Sequence, residues 1–354
     1  MRLRYPVVAL LAATVVTAAA ASPLSAAVGN SYTVTPLVSD VQGAAPHFDP
    51  LLKNAWGLTA GPTTPWWVAD NATDVSTLYT ADGTPFPPPP AQRLVVAVDG
   101  GPTGAVFNPT GSFPVGGSPA RFLFVSEDGK IRGWNGGPAA QVVVDNSGHD
   151  AIYKGLAVAT SPSGPRLYAT DFHNAGVDVF DGSFAPVTTP GAFIDPAIPT
   201  GFAPFGIQAV GNRIFVSYAK QDENAEDDVA GQALGFVDAY GTDGTLLARV
   251  AQHGQLNAPW GLALAPASFG RFGGDLLVGN FGDGRINAYE ELPSGQFVHR
   301  GQLRTGDGKP VDIDGLWALQ FGHGDPKNGP RDTLFFTAGP NDEADGLFGT
   351  ITAG

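Results

Sequence analysis

The chain of 354 residues contains no cysteine and a single methionine. Disulfides, thiolate nucleophiles and cysteine-ligated metals are excluded, so packing and hydrogen bonds must hold the fold. Basic residues are scarce as well: 19 Lys and Arg stand against 33 Asp and Glu, a formal charge of -14. Such a surface repels phosphate backbones, and nucleic acid is not an expected partner, whereas cations are attracted. The sequence also lacks G-x-S-x-G, H-E-x-x-H, Walker-type and G-x-G-x-x-G signatures. No familiar catalytic motif names a reaction.

Long apolar runs are confined to the first residues. Arg2 and Arg4 precede an apolar stretch from Tyr5 to about Ala21, followed by small residues through Ala27. This is the layout of a secretory signal peptide over 1–27, and an uncleaved membrane anchor is the competing reading. Export as a soluble protein, extracellular or in the cell envelope, is the expectation, with no membrane span after the leader is removed. What the chain has in abundance is turn formers and aromatics: 48 Gly and 31 Pro, with 22 Phe, 8 Tyr and 6 Trp. That mixture excludes a disordered chain and predicts many short strands.

A repeat organises residues 31–354 into one domain. A phrase of the form aromatic or polar residue, Gly, aliphatic occurs at Trp56-Gly57-Leu58, Thr103-Gly104-Ala105, Lys154-Gly155-Leu156, Phe205-Gly206-Ile207, Trp260-Gly261-Leu262 and Asp314-Gly315-Leu316. The glycines are 47, 51, 51, 55 and 54 residues apart. After each comes a second apolar run, such as "LFVSE" from Leu123 or "LLVGN" from Leu276, and then a third such as "GRINAYEE". Period-2 alternation with Gly-rich joins predicts six four-strand units, the signature of an all-β, six-bladed β-propeller; a solenoid is the rival. The last unit stops at its third strand, "LFGTITAG", while "SYTVTPLVSD" from Ser31 is a spare strand before the first. Docking the spare strand in the last blade closes the ring and removes two exposed edges.

The phrases "YKGLAV", "LYATDFHNAGVDVFD", "APWGLALAP", "LLVGNFGDGRINAY" and "FFTAGPNDEADGLFGTI" resemble an uncharacterised family of secreted bacterial β-propeller proteins, itself similar to NHL-repeat and SMP-30-like propellers. The resemblance runs from about Ser31 to the C terminus. It implies a propeller fold and an export route, and it brings no reaction with it.

Strand direction predicts which residues reach the channel mouth. One ring there is Trp56, Thr103, Lys154, Phe205, Trp260 and Asp314; the other, at the ends of the second strands, is Asp70, Glu127, Asp171, Tyr218, Asn280 and Ala338. Adjoining loops add Asn71, Asp128, His173, Lys220, Asp222 and Asn341. Aromatic faces beside fixed polar groups suit a polar ligand, and the candidate ligand-binding set is Trp56, Lys154, Asp171, His173, Phe205, Lys220, Trp260, Asn280, Asp314 and Asn341. Equally, Asp and Asn sit at such turns merely to close them. Asp70, Glu127, Asp171 and Asn280 would offer oxygens to Ca²⁺ or another divalent cation if they converge, and SMP-30-like enzymes hold a divalent ion with these residue types. Two acidic loops, "QDENAEDDVAG" from Gln221 and "PNDEADG" from Pro340, lie on the same rim. The first alternates carboxylates like a Ca²⁺ loop, but Asp227 stands where an EF-hand needs Gly. The leading expectation is a monomeric propeller binding a polar small molecule, glycan or peptide at this funnel. A metal-dependent hydrolase or lactonase of SMP-30-like type, and a structural or protein-interaction module, are the alternatives.

Overall fold

The computed structural model describes residue 1 and residues 29–354; the leader expected over 1–27 otherwise lies outside the described residues. Among the described residues no helix is long and apolar enough to cross a membrane.

The described chain is almost entirely strand and turn, arranged as six blade sheets around a central axis with one further two-stranded hairpin; the blades are antiparallel apart from a short parallel pairing of Val38 and Ser39 with His47 and Phe48. Blade 1 runs outward through Ala55–Thr59, Trp66–Asp70, Val75–Tyr79 and Val95–Ala97. Blade 2 follows with Pro102–Phe107, Phe122–Ser126, Lys130–Trp134 and Gln141–Asp145. Blade 3 has three strands, Tyr153–Ser161, Gly164–Asp171 and Gly176–Asp181. Blades 4 and 5 begin with Phe202–Val210 and Pro259–Leu264 and continue through Arg213–Lys220 and Leu276–Asn280. In blade 6, Leu316–Phe321, Leu334–Ala338 and Leu347–Ala353 are completed by the N-terminal strand Tyr32–Ser39. That strand pairs antiparallel with the last, from Tyr32 opposite Ala353 to Ser39 opposite Leu347. The ring is thus closed by this pairing: Leu347–Ala353 is bonded on both sides, and Tyr32–Ser39 becomes the outer strand of blade 6, met on its far side only by His47–Phe48.

Hydrophobic core fills the wedges between neighbouring blades. Between blades 1 and 2, the Trp67 ring lies 4.1 Å from Phe122 and 4.7 Å from Trp134, all three buried. Between blades 6 and 1, Trp66, Val68, Tyr79, Phe335 and Phe348 form the corresponding cluster. Each such aromatic contributes about 1.5–3 kcal/mol by leaving water.

The repeated glycine has a steric cause. A Cβ on Gly57 would lie 2.2 Å from the carbonyl oxygen of Thr103, on Gly206 2.0 Å from that of Trp260, and on Gly261 2.5 Å from that of Trp317. Each is the inner strand of the next blade, which crowds in near the axis. Side-chain hydroxyls tie the same places together: Thr103 Oγ1 donates to the carbonyl of Tyr153 at 2.7 Å and Thr170 Oγ1 to that of Phe205 at 2.8 Å.

This geometry corrects the sixth unit. Leu316 pairs with Ala338 and Leu319 with Phe336, as Ala55 pairs with Asp70 and Leu58 with Val68. Trp317-Ala318-Leu319 is therefore the sixth copy of the phrase, with Ala in place of Gly. Asp314-Gly315 belongs to the preceding loop, where Gly315 has a φ of +63°.

Candidate functional site at the channel mouth

In each blade, the residue just before the repeat position points at the axis. These residues are Trp56, Thr103, Lys154, Phe205, Trp260 and Trp317. The rings plug the channel. Trp56 stacks on Trp317 with centroids 3.7 Å apart, Phe281 stacks on the other side at 3.9 Å, and Trp260 and Phe205 meet Trp317 edge-on at 6.0 and 5.9 Å. The indole N–H of Trp317 donates to Asn54 Oδ1 at 2.9 Å, and that of Trp260 to the Lys154 carbonyl at 3.3 Å. Thr103 turns its hydroxyl to the backbone of the next blade and offers nothing to a ligand.

Lys154 crosses the top of this plug. Its side chain is 1% exposed, and its ammonium lies 2.5 Å from Glu127 Oε1 and 3.0 Å from Asp227 Oδ1. The faces of Trp56 and Phe172 lie 5.2 and 6.0 Å away. Burial works against the charged lysine, but Glu127 and Asp227 outweigh it and its pKa ends above the ordinary value. The network continues around the mouth. Asn71 Nδ2 donates to Glu127 Oε2 at 2.9 Å, and Asn54 Nδ2 donates to Asn71 Oδ1 at 3.2 Å and to Glu343 Oε2 at 2.5 Å.

Both acidic loops therefore reach the same ammonium's surroundings. Burial pushes Asp228 up to about 7, with Lys154 opposing and Glu343 and Asp227 adding to the shift. Glu343 is also raised, by burial first, against its hydrogen bond from Asn54. The loop that carries Glu343 has three successive non-glycine residues at positive φ: Asn341 at 59°, Asp342 at 51° and Glu343 at 65°. Asn54 is held at 42°. Left-handed backbone at several adjoining non-glycine residues is costly and clusters at functional positions.

The second predicted ring is shifted by one residue in five blades. Asp70, Asp171, Tyr218, Asn280 and Ala338 pair across with Ala55, Tyr153, Pro204, Pro259 and Leu316, one place before the residues that face the channel. Strand parity turns their side chains into the wedges between blades. In blade 2 the residue in that register is Ser126, opposite Pro102, so Glu127 falls one place later and faces the funnel. The residues that match Glu127 are Asn71, Phe172, Ala219, Phe281 and Gly339.

The four proposed metal ligands accordingly stay apart. Asp70 is fully buried, accepts the Thr77 amide at 2.9 Å, and is raised well above the carboxylate range by burial. Asp171 is held by Asn174 at 2.8 Å, and Asn280 bonds to Gln255 and Asp283. Among the described residues no group of three or more His, Asp and Glu is placed to hold a metal ion. In the Gln221 loop, Asp222 Oδ1 accepts the Glu226 amide at 2.9 Å, closing a turn. Asp314 and Asn341 engage each other, the Asn341 amide donating to Asp314 Oδ2 at 2.9 Å. Lys220 is exposed, Asp128 is bound to Arg132, and Tyr218 bonds to Tyr240 at 2.6 Å within the core. His173 adjoins the funnel floor through Phe172, and Gln221 Nε2 donates to the Phe172 carbonyl at 2.6 Å.

Of the residues expected at the rim, Lys154, Trp56, Phe205, Trp260, Glu127 and Asn71 lie together here, alongside Asn54, Phe172, Phe281 and Trp317, which the sequence did not single out. Trp317 was legible from "LWALQF", which keeps the Trp and Leu of "WGL". Asp227 and Glu343 lay inside the flagged acidic loops, with nothing to single them out.

The molecule so described is a six-bladed β-propeller whose plugged channel opens on an acidic mouth. No family model matches the chain. It is 33% identical over 335 residues to Uncharacterized protein R648 of Acanthamoeba polyphaga mimivirus, covering 91% of this chain and 80% of that protein. Uncharacterized protein L690 of the same virus is 31% identical over 338 residues, covering 91% and 86%. The chain belongs to the family of these proteins. The relatives are viral, and nothing in them bears on a bacterial source or on export. Among solved structures, a glucose dehydrogenase is similar with a TM-score of 0.51 at 13% identity, covering 91% of this chain and 99% of that one. A streptogramin B lyase gives 0.49 at 11% identity, covering 91% and 97%. A putative gluconolactonase gives 0.44 at 17%, covering 70% and 87%. At these identities the likeness concerns the fold and not the chemistry.

Proposed function

We propose that the channel mouth binds a polar small molecule. The observation that carries this reading is a set of buried polar atoms without partners around a buried lysine. Among the described residues, Trp56 Nε1 and Asp228 Oδ2 are buried and unbonded there. Trp56 lies under the Lys154 ammonium, and Asp228 follows the residue that binds it and feels the same charge. Each unsatisfied buried polar group costs about 1–3 kcal/mol, and a ligand supplying both donors and acceptors would remove that cost. A footprint gathered around one ammonium favours a small molecule over an extended glycan or peptide. The hydrolase alternative would require a cation among Asp70, Glu127, Asp171 and Asn280, and no observation favours it.

The test is a thermal-shift panel of neutral sugars, amino alcohols, amino acids and short peptides, since a compound that binds only the folded state raises its melting temperature. We expect at least one small polar compound to do so in the parent, with the shift reduced in Asn54→Ala and Glu343→Gln. A ligand whose effect survives both substitutions, or a panel with no hit, overturns the proposal.

A further inference from the structure

We propose that the ligand of this mouth carries an ammonium group, seated against Asp228 and Glu343 beside Lys154. The inference rests on the binding role proposed above and narrows it to a class of compound. Lys154 displays how the mouth receives an ammonium: two carboxylates from separate elements and the face of an indole. The carboxylates there outnumber it. Glu127 and Asp227 are engaged by Lys154, while Glu343 is held only by the neutral amide of Asn54, and Asp228 Oδ2 has no partner among the described residues. A second cation is what these two groups lack. An independent observation points to the rest of the ligand. The indole N–H of Trp56, a residue only 3% exposed, has no acceptor, and Lys154 lies over the same ring. An oxygen on the ligand close to its ammonium would meet that donor, so a hydroxylated amine fits both ends.

The same groups couple binding to pH. Asp228 is faced by Asp227 on its own loop, Glu343 from the blade 6 loop and Lys154 from blade 3, with Glu127 of blade 2 behind the lysine. An ammonium favours its ionised form. Below the value of about 7 to which burial has raised this carboxyl, binding must displace a proton. Affinity therefore rises as pH increases towards 7 and levels off above it.

The experiment titrates the folded protein with 3-amino-1,2-propanediol and with glycerol, its neutral counterpart. The ¹⁵N indole resonance of Trp56, assigned with Trp56→Phe, gives the readout. We expect the amine to bind at least tenfold more tightly than glycerol, with affinity increasing severalfold between pH 5.5 and 7.5. Asp228→Asn should abolish the increase, Glu343→Gln should weaken binding at every pH, and Glu223→Gln, on an exposed part of the same loop, should change neither. Equal binding of amine and glycerol overturns the ammonium assignment and leaves the funnel reading intact. Failure of both, with a hit elsewhere in the thermal panel that Glu343→Gln weakens, does the same. Calcium chloride moving the Trp56 signal where the amine does not overturns the assignment in favour of a metal. No response to any compound overturns both readings.

Discussion

Lys154 offers a measurement of what holds the mouth together. The lysine side chain is 1% exposed, whereas Glu127 is 33% and Asp227 72% exposed. The two ways of breaking the cluster should therefore differ. Lys154→Met leaves two carboxylates that water can still reach, and it puts an apolar chain of similar length on the aromatic plug. It loses a partly screened ion pair worth about 0–1 kcal/mol and a cation–π contact of about 1–2 kcal/mol, and it regains part of this by burying the thioether. The expected net cost is about 1 kcal/mol. Glu127→Gln with Asp227→Asn does the opposite and strands a buried ammonium. Leaving one partner of a buried pair uncompensated costs about 3–5 kcal/mol. The low end applies here because Asp228 and Glu343 remain nearby to ionise against it. With an unfolding entropy near 2.1 cal/mol/K per residue, each kcal/mol moves the midpoint of a domain this size by about 1.5 °C. The double variant should thus melt about 4–5 °C below the parent and Lys154→Met about 1–2 °C below it. Urea midpoints at unchanged slope provide the second assay. The stranded lysine would have its pKa lowered, so the double variant should recover stability relative to the parent as pH rises towards 10. A loss from Lys154→Met equal to or larger than that of the double variant would refute the reasoning.

Two further outcomes test the framework that carries the mouth. A chain starting at Gly43 loses the strand Tyr32–Ser39 with its buried Tyr32 and Val38, leaving blade 6 with an open edge; its unfolding should become less cooperative and begin at lower temperature, and melting like the chain from Ser31 would sink the closure argument. Gly206→Ala places a Cβ 2.0 Å from the Trp260 carbonyl oxygen and should cost about 1–3 kcal/mol or more. Ala318→Gly, at the position where blade 6 already tolerates a Cβ, should cost no more than about 1 kcal/mol by urea denaturation.

How much of this was legible in the sequence depends on what each signal encodes. The blade count follows from a steric requirement that recurs in five of the six units, because the inner strand of one blade presses on the glycine of its neighbour, and the closing strand follows from a last unit that stops at its third strand. Where that requirement lapses, the signal lapses too: Ala318 took the sixth place, and Gly315, needed three residues earlier for its own backbone angle, stood in as a decoy. The ring of second-strand ends was harder, since a strand's side chains alternate and a misjudged register by one residue exchanges channel for wedge. Asp70 and Asp171 look like rim carboxylates in the sequence, yet each shares its register with a residue buried between blades. Glu127 escapes that fate only because blade 2 places Ser126 there instead. The loops lay beyond any periodicity. Their acidity marked them, but which carboxylate turns inward is decided by left-handed backbone at residues such as Glu343, and by a lysine supplied from another blade. The mouth is thus assembled from parts whose meaning is relational. A carboxylate on one loop acquires its shifted protonation only because burial, a second loop and Lys154 act on it together. Chemistry of that kind resides in the meeting of segments 73 and 116 residues apart, Lys154 with Asp227 and Asp227 with Glu343, and not within any one of them.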